Sequence, residues 1–295
     1  MSGAVLHAAL PGLLRACCPV CEEETARRMI CLDFLRDFPA GMWLVRCLGC
    51  GCQRIDPHPL PERMARHYDL DYYREGYTRF MESRRAGCRL RLASLRQMEP
   101  VRRAYAAGRP PRCLDVGAGI GLFVAEALRA GWQAQGMEPS SAARQVARQV
   151  LGMELHGGWP AAGIQFDLVT LWDVLGHVED PADLLGRIRN CLPEGGGLVI
   201  KVPNFQSSWH WVRTAMSRLR RANLLHAPTV IWRFHRAGLW ILLERTGFAV
   251  ESLKTVEEKD LIPLSPRWKA VRLGSRLLDA LLDNRQEMIF HARAC

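Results

Sequence analysis

Two groups of residues in this 295-residue sequence have the types and spacing to do chemistry. The first is a set of four cysteines in two C-x-x-C pairs, Cys18/Cys21 in "CCPVC" and Cys47/Cys50 in "CLGCGC". A two-residue spacing lets one tight turn aim two thiolates at a single metal. Two such knuckles complete a tetrahedral Cys₄ site, for which zinc is the expected ion and iron the chemical alternative. Four protein ligands leave no open coordination position, so the metal is structural. Cys17 stands one position out of register, and Cys52 is also left over. A redox C-x-x-C pair or free core cysteines are the competing readings.

The second group is "CLDVGAGIGLF", Cys113 to Phe123. It reads as an apolar strand, a glycine-rich turn and the first turn of a helix. Gly117, Gly119 and Gly121 are spaced G-x-G-x-G, where the dinucleotide fingerprint is G-x-G-x-x-G. Glycine suits such a turn because the backbone needs unusual dihedrals and must come close to a ligand. The helix behind it offers free N–H groups and the positive end of its dipole. Glu138, in "GMEPS" at the end of the next strand, is a carboxylate placed to accept both hydroxyls of a ribose. Both features fit a dinucleotide or S-adenosylmethionine (SAM).

The residues that follow separate these two cofactors. "FDLVTLWDVLGHVEDPADLLGRIRNCLPEGGGLVIKVPN" (166–204) resembles the central segment of the class I SAM-dependent methyltransferases, and "APTVIWRFHRAGLWILLERTGF" (227–248) resembles a later motif of the same family. The resemblance covers about residues 110 to 255. It implies an α/β fold: a Rossmann-like sheet of seven strands with the last one antiparallel. It also implies that Asp115, Gly117 and Gly119 form the SAM-binding loop, that Gly121 opens the next helix, and that Glu138 holds the ribose with Pro139 beside the adenine. Trp172 and Asp173 then line the methionine side. The chain departs from the family in three places. "GHV" carries Gly176 where glutamate is usual; Val230 and Arg233 replace histidines; and "HGGWP" (156–160) lacks the acid that often meets the adenine amine, leaving Trp159 nearby. His177 is kept, and reads either as a general base or as a hydrogen-bonding residue of the strand–helix junction.

Alternating strand and helix patterns from residue 110 onward predict the elements that position these groups. Asp180 before Pro181 is a helix start, Ser140 is a helix cap, and Gly131 and Gly247 are helix stops. Three regions follow: a zinc-ribbon-like module over 1–56, a helical linker or cap over 57–108, and the methyltransferase domain over 109–295. An N-terminal zinc ribbon followed by "YDLDYY" (68–73) resembles a bacterial subgroup that acts on sugars, lipids or natural-product intermediates. This makes Tyr72 and Tyr73 candidates for the substrate pocket, against ordinary helix packing. Residues 205–228 read as a substrate-covering insertion, with Trp209, Val212, Met216 and Leu219 on one helical face and Arg213, Arg218, Arg220 and Arg221 off it. Such a helix can bind an anionic acceptor, press on a membrane surface or simply cap the domain.

The chain is 48% hydrophobic, enough for a sizeable core, and its net charge of +10 favours anionic partners without choosing among them. It has no apolar run long enough to span a bilayer and no signal-peptide pattern. Its cysteine usage suits the reducing cytoplasm. The expected activity is transfer of a methyl group from SAM to oxygen or carbon of a small-molecule, sugar or lipid-linked acceptor. The alternatives are an RNA methyltransferase, suggested by the zinc module and the charge, and a non-catalytic binding module on the same fold. Nothing in the sequence signals an oligomeric state.

Overall fold

The computed structural model describes residues 13–15, 17–33, 40–58, 68–78, 80–220, 229–257 and 266–295. The leader before residue 13, part of the linker (59–67) and the end of the insertion (221–228) lie outside them, as do the side chains of Arg218, Leu219, Arg220 and Arg221.

Among the described residues, four short strands come first: β1 (Leu13–Arg15), β2 (Thr25–Cys31), β3 (Trp43–Cys47) and β4 (Gln53–Asp56). Three helices follow: α1 (Leu70–Thr78), α2 (Met81–Leu95) and α3 (Glu99–Ala106). An alternating series comes next: β5 (Arg112–Val116), α4 (Leu122–Arg129), β6 (Gln133–Met137), α5 (Ser141–Leu151), β7 (Leu168–Trp172), a 3₁₀ turn (Leu175–His177), α6 (Pro181–Asn190) and β8 (Gly197–Pro203). The chain finishes with α7 (Ser208–Arg220), β9 (Trp232–Arg233), α8 (Arg236–Arg245), β10 (Phe248–Val256), α9 (Pro266–Leu281) and β11 (Glu287–Ala294).

The local signals explain most boundaries. Ser140 Oγ accepts the Ala143 N–H to cap α5, and Asp180 accepts the N–H groups of Ala182 and Asp183 to cap α6. Such a cap is worth about 1 kcal/mol. Gly131 and Gly247 lie just past α4 and α8 with φ of +83° and +84°, a conformation that glycine adopts without a Cβ penalty.

The main sheet has the order β10-β11-β8-β7-β5-β6. Strands β6, β5, β7 and β8 are parallel, and β11 runs antiparallel between β8 and β10. The central strands are buried along their length, as helices on both faces require. The sequence predicts seven strands, and the described sheet has six. The seventh position, beyond β6, is held by one parallel bridge between Met137 and His156. There "HGGWP" brings two glycines and a proline, which weaken a ladder, so pairing stops after the Glu138 N–H and His156 N–H bonds.

A second sheet, antiparallel throughout, has the order β1-β2-β3-β4-β9. Its last strand comes from far along the chain: Gln53 pairs with Arg233 and Arg54 with Trp232. The cysteine module and the main domain therefore share a sheet. They also share a core in which Cys18, Val20, Cys47, Cys50 and Cys52 cluster with Phe234, Leu239 and Leu242.

Candidate active site

A cleft of about 2460 Å³ opens at the carboxyl ends of the parallel strands, where open α/β sheets bind ligands. Its floor is the glycine turn after β5. Gly117, Gly119 and Gly121 have φ of +70°, +57° and +82°. A Cβ on Gly117 would lie 2.5 Å from a methyl of Val174, so a side chain there would need both a strained backbone and a displaced neighbour. Gly119 donates its N–H to Glu138 Oε2 at 2.8 Å, and Ser140 donates to Oε1 at 2.9 Å. These two bonds fix the carboxylate at the end of β6 and leave each oxygen with acceptor capacity. Burial raises the Glu138 carboxyl above its usual range although both bonds favour the charged form. Asp115, 3% exposed, accepts the Thr170 hydroxyl at 2.7 Å, and burial pushes its carboxyl up to about 7.

The wall above this floor is built from segments distant in sequence. Trp172 lies at the end of β7 with its indole N–H buried and, among the described residues, without a hydrogen-bond partner. The Arg91 guanidinium of α2 stacks on its ring at 4.5 Å. Asp173 follows with φ of +62°, and its Oδ2 accepts from Lys201 Nζ at 2.8 Å. Lys201, 3% exposed on its side chain, also lies 3.5 Å from Glu287 Oε2. The buried ammonium thus lies between two carboxylates, whose attraction offsets the cost of taking it out of water.

His177 ends the 3₁₀ turn. Its Nδ1 lies 2.6 Å from the Thr229 carbonyl and 3.1 Å from the Tyr68 hydroxyl. A carbonyl can only accept, so the hydrogen-bond network assigns the proton to Nδ1 and the lone pair to Nε2. Burial lowers the His177 pKa, which favours the neutral ring. Beside it, Tyr72 packs edge-on against both Tyr68 and Tyr73.

The family model of the methyltransferase domain matches residues 79–253, more than half of this chain. The chain belongs to that methyltransferase family. A curated relative, the ubiquinone biosynthesis O-methyltransferase of Alkalilimnicola ehrlichii, is 32% identical over 127 residues, covering 37% of this chain and 51% of its own. The chain thus spans about half the length of the curated relative it matches. A crystal structure of a SAM-dependent methyltransferase from Archaeoglobus fulgidus superposes with a TM-score of 0.50 at 17% identity, covering 76% of this chain and 100% of that one. It shows the shared fold. Magnesium protoporphyrin IX methyltransferase from Synechocystis, solved with bound S-adenosylhomocysteine (SAH), gives a TM-score of 0.43 at 17% identity over 66% of this chain and 80% of that one.

The methyltransferase brings most of its sequence-predicted residues into one place. Asp115, Gly117, Gly119, Glu138, Pro139, Trp172, Asp173 and His177 all line the cleft. Gly121 instead sits beneath it, opening α4. A Cβ there would come within 2.1 Å of Met153. Trp159 lines the cleft beside Gly157 and Gly158, where the family's adenine acid is missing. The residues suit SAM: a buried carboxylate with spare acceptor capacity faces a turn that no side chain can fill. Gly176, unusual for the family, packs with its Cα against β9. A Cβ there would meet the Trp232 carbonyl at 3.1 Å and Val230 at 3.7 Å, so any side chain would press on the backbone of β9.

Three contributors were not singled out from sequence. Tyr68 begins "YDLDYY", where the sequence points to Tyr72 and Tyr73 and nothing local distinguishes it. Thr229 acts through its backbone carbonyl, which carries no sequence signal. Lys201 did leave one, a lysine inside the otherwise apolar strand "GLVIKVP".

Behind the cleft, the cysteines converge as their spacing predicts. The sulfurs of Cys18, Cys21, Cys47 and Cys50 all lie within 4.8 Å of one another, with Cys18–Cys50 at 3.8 Å and Cys21–Cys47 at 3.5 Å. Thiolates at 2.3 Å from a tetrahedral zinc stand about 3.8 Å apart, so the donor set fits that ion. Cys17 is exposed, and Cys52 is buried and accepts the His235 N–H. Among the described residues, no helix is long and apolar enough to cross a membrane.

Proposed function

We propose that this methyltransferase moves the methyl group of SAM to oxygen or carbon of a small-molecule, sugar or lipid-linked acceptor. In this reading Asp115, Gly117, Gly119, Gly121, Glu138 and Pro139 hold the cofactor, Trp172 and Asp173 flank its methionine part, and His177 is the general base. The observation that carries the reading is the fixed tautomer of His177: its Nδ1 proton is committed to Thr229, so Nε2 is a neutral base at the wall of the cleft. The bound sulfonium supplies an already activated methyl group. The chain's residues need only hold an acceptor in line, exclude water and take up one proton at Nε2. Glu138 fixes the ribose, the glycine turn admits the cofactor's bulk, and the tyrosines crowd the acceptor side. The name of the curated relative, an O-methyltransferase, supports oxygen over carbon. Arg84, Arg91 and Arg213 along the cleft support an acceptor with anionic character.

We assign zinc to Cys18, Cys21, Cys47 and Cys50, where it would hold two knuckles together and take no part in the reaction. A four-cysteine metal site with its sulfurs converged supports a reducing compartment such as the cytoplasm.

The test is methyl transfer from isotopically labelled SAM to a panel of hydroxylated aromatics, nucleotide-linked sugars and isoprenoid-tailed phenols, with ribosomal RNA in parallel. Product on a small hydroxylated acceptor, lost in His177→Asn, supports the reading. Label appearing only in RNA overturns the acceptor class. A fully active His177→Asn overturns the base. Metal analysis of the purified chain should find about one zinc by the ligand count; a folded, metal-free chain refutes the zinc assignment.

A further inference from the structure

The cysteine module and the acceptor wall are joined by a short series of contacts. Cys47 ends β3, β3 pairs with β4, and β4 pairs with β9. The Ile55 N–H of β4 donates to the Ile231 carbonyl at 3.0 Å, two residues beyond Thr229. From the other side, the Trp232 indole N–H donates to the Glu179 carbonyl at 3.2 Å, and the Trp232 carbonyl packs on Gly176. β9 thus lies between the cysteine sheet and the turn that carries His177.

The knuckles are also bolted to α8, which follows β9. A Cβ on Gly238 would fall 2.3 Å from Cys52 Sγ and 3.3 Å from Cys50 Cβ, so the helix backbone packs directly on the cysteines of the second knuckle. Arg245, at the end of α8, donates to the carbonyls of Val20 at 2.7 Å and Pro19 at 3.3 Å, both inside the first knuckle. The segment 229–245 is therefore gripped at both ends by the module. β9 itself is only two residues long and cannot hold its place alone.

We propose that the four-cysteine module is a positioning device for the acceptor half of the active site: the closed module holds β9, and β9 holds the Thr229 carbonyl that orients His177. The proposal rests on the zinc and general-base readings above. It differs from a merely structural zinc because it predicts which half of the site depends on the metal. The cofactor half stands on β5, β6 and the glycine turn, none of which belongs to the cysteine sheet.

The test uses the full chain, purified under reducing conditions and assayed for zinc, before and after removal of metal by a strong chelator. Three quantities are read: SAH affinity by calorimetry, amide hydrogen exchange over 229–234 with β11 as control, and the side-chain ¹⁵N signals of His177. In the stripped chain, SAH affinity should hold within about twofold while exchange over 229–234 rises about tenfold or more, the behaviour of a locally released strand. The His177 tautomer signature should be lost and β11 should be unchanged. Unchanged exchange and an unchanged His177 signature after stripping overturn the proposal. If the purified chain is folded without metal, the zinc assignment fails by itself. In that case, or if stripping unfolds the whole chain, Gly238→Ala decides. It wedges a methyl between α8 and the knuckle, spares the four ligands and improves helix propensity. Loosened 229–234 and a lost His177 signature with SAH binding intact support the proposal; wild-type behaviour overturns it.

Discussion

Replacing Glu138 by glutamine changes one atom type and removes one charge, yet it should disable cofactor binding. The Glu138 carboxylate accepts backbone N–H groups from Gly119 at 2.8 Å and Ser140 at 2.9 Å, one on each oxygen. An amide has only one oxygen, so its NH₂ must face one of these two donors. That leaves a buried N–H unsatisfied at about 1–3 kcal/mol. The cost falls on the free protein, and relief from burying a charge at a site 6% exposed partly offsets it. The change in melting temperature should therefore be a few degrees at most. Affinity suffers separately. One ribose hydroxyl loses a charged acceptor and the other meets a neutral one, together about 2–4 kcal/mol. At 1.4 kcal/mol per decade this is roughly a 30- to 1,000-fold weaker Kd. Calorimetric titration of Glu138→Gln with SAH, beside a thermal melt, measures both. Weakening below about fivefold in a fully folded variant, far under this range, would refute Glu138 as the ribose acid.

Three further outcomes are expected. His177→Asn should lower kcat by about 10²- to 10⁴-fold. In the wild type the neutral ring is the active form and burial lowers its pKa, so the acidic limb of kcat/KM should fall below the ordinary 6.5, and a limb above 6.5 contradicts this. Asp115 has its folded pKa raised from 3.8 to about 7, so its contribution to stability is full below 3.8 and is lost as pH rises through 7. Asp115→Asn should flatten that slope in urea titrations at pH 4, 6 and 8; an unchanged slope would assign it to other groups. Gly176→Glu restores the family's usual residue but presses on the Trp232 carbonyl, which should cost about 1–3 kcal/mol and reduce kcat while SAH affinity stays unchanged. A Gly176→Glu variant with unaltered melting and turnover would show that β9 yields freely.

The cofactor half of the site was legible in the sequence because its determinants are local. The turn and Glu138 lie within one strand–turn–helix–strand unit, where glycine spacing, caps and strand ends fix the geometry over about twenty residues. The acceptor half was less legible. His177 was identified, but not its tautomer, because that depends on a backbone carbonyl fifty-two residues away. Tyr68 sits in "YDLDYY", yet which tyrosine meets His177 depends on how the segment leading into α1 docks. The edge of the main sheet is the least legible part of the fold: the resemblance implies seven strands, and beyond β6 the described residues form a single bridge at His156, next to the glycines and proline of "HGGWP".

By itself, then, the sequence determined the alternating α/β pattern, the G-x-G-x-G turn with its acid, and the two C-x-x-C knuckles. Each is encoded by residue type at short separation, where dihedral preference, capping and ligand spacing act directly. Only the tertiary structure decided that β9 joins the cysteine sheet, and with it what packs on Gly176 and what orients His177. These follow from hydrogen bonds between residues more than fifty and up to about 180 positions apart. A two-residue strand has no periodicity of its own, so its partner is chosen by the packing of everything around it.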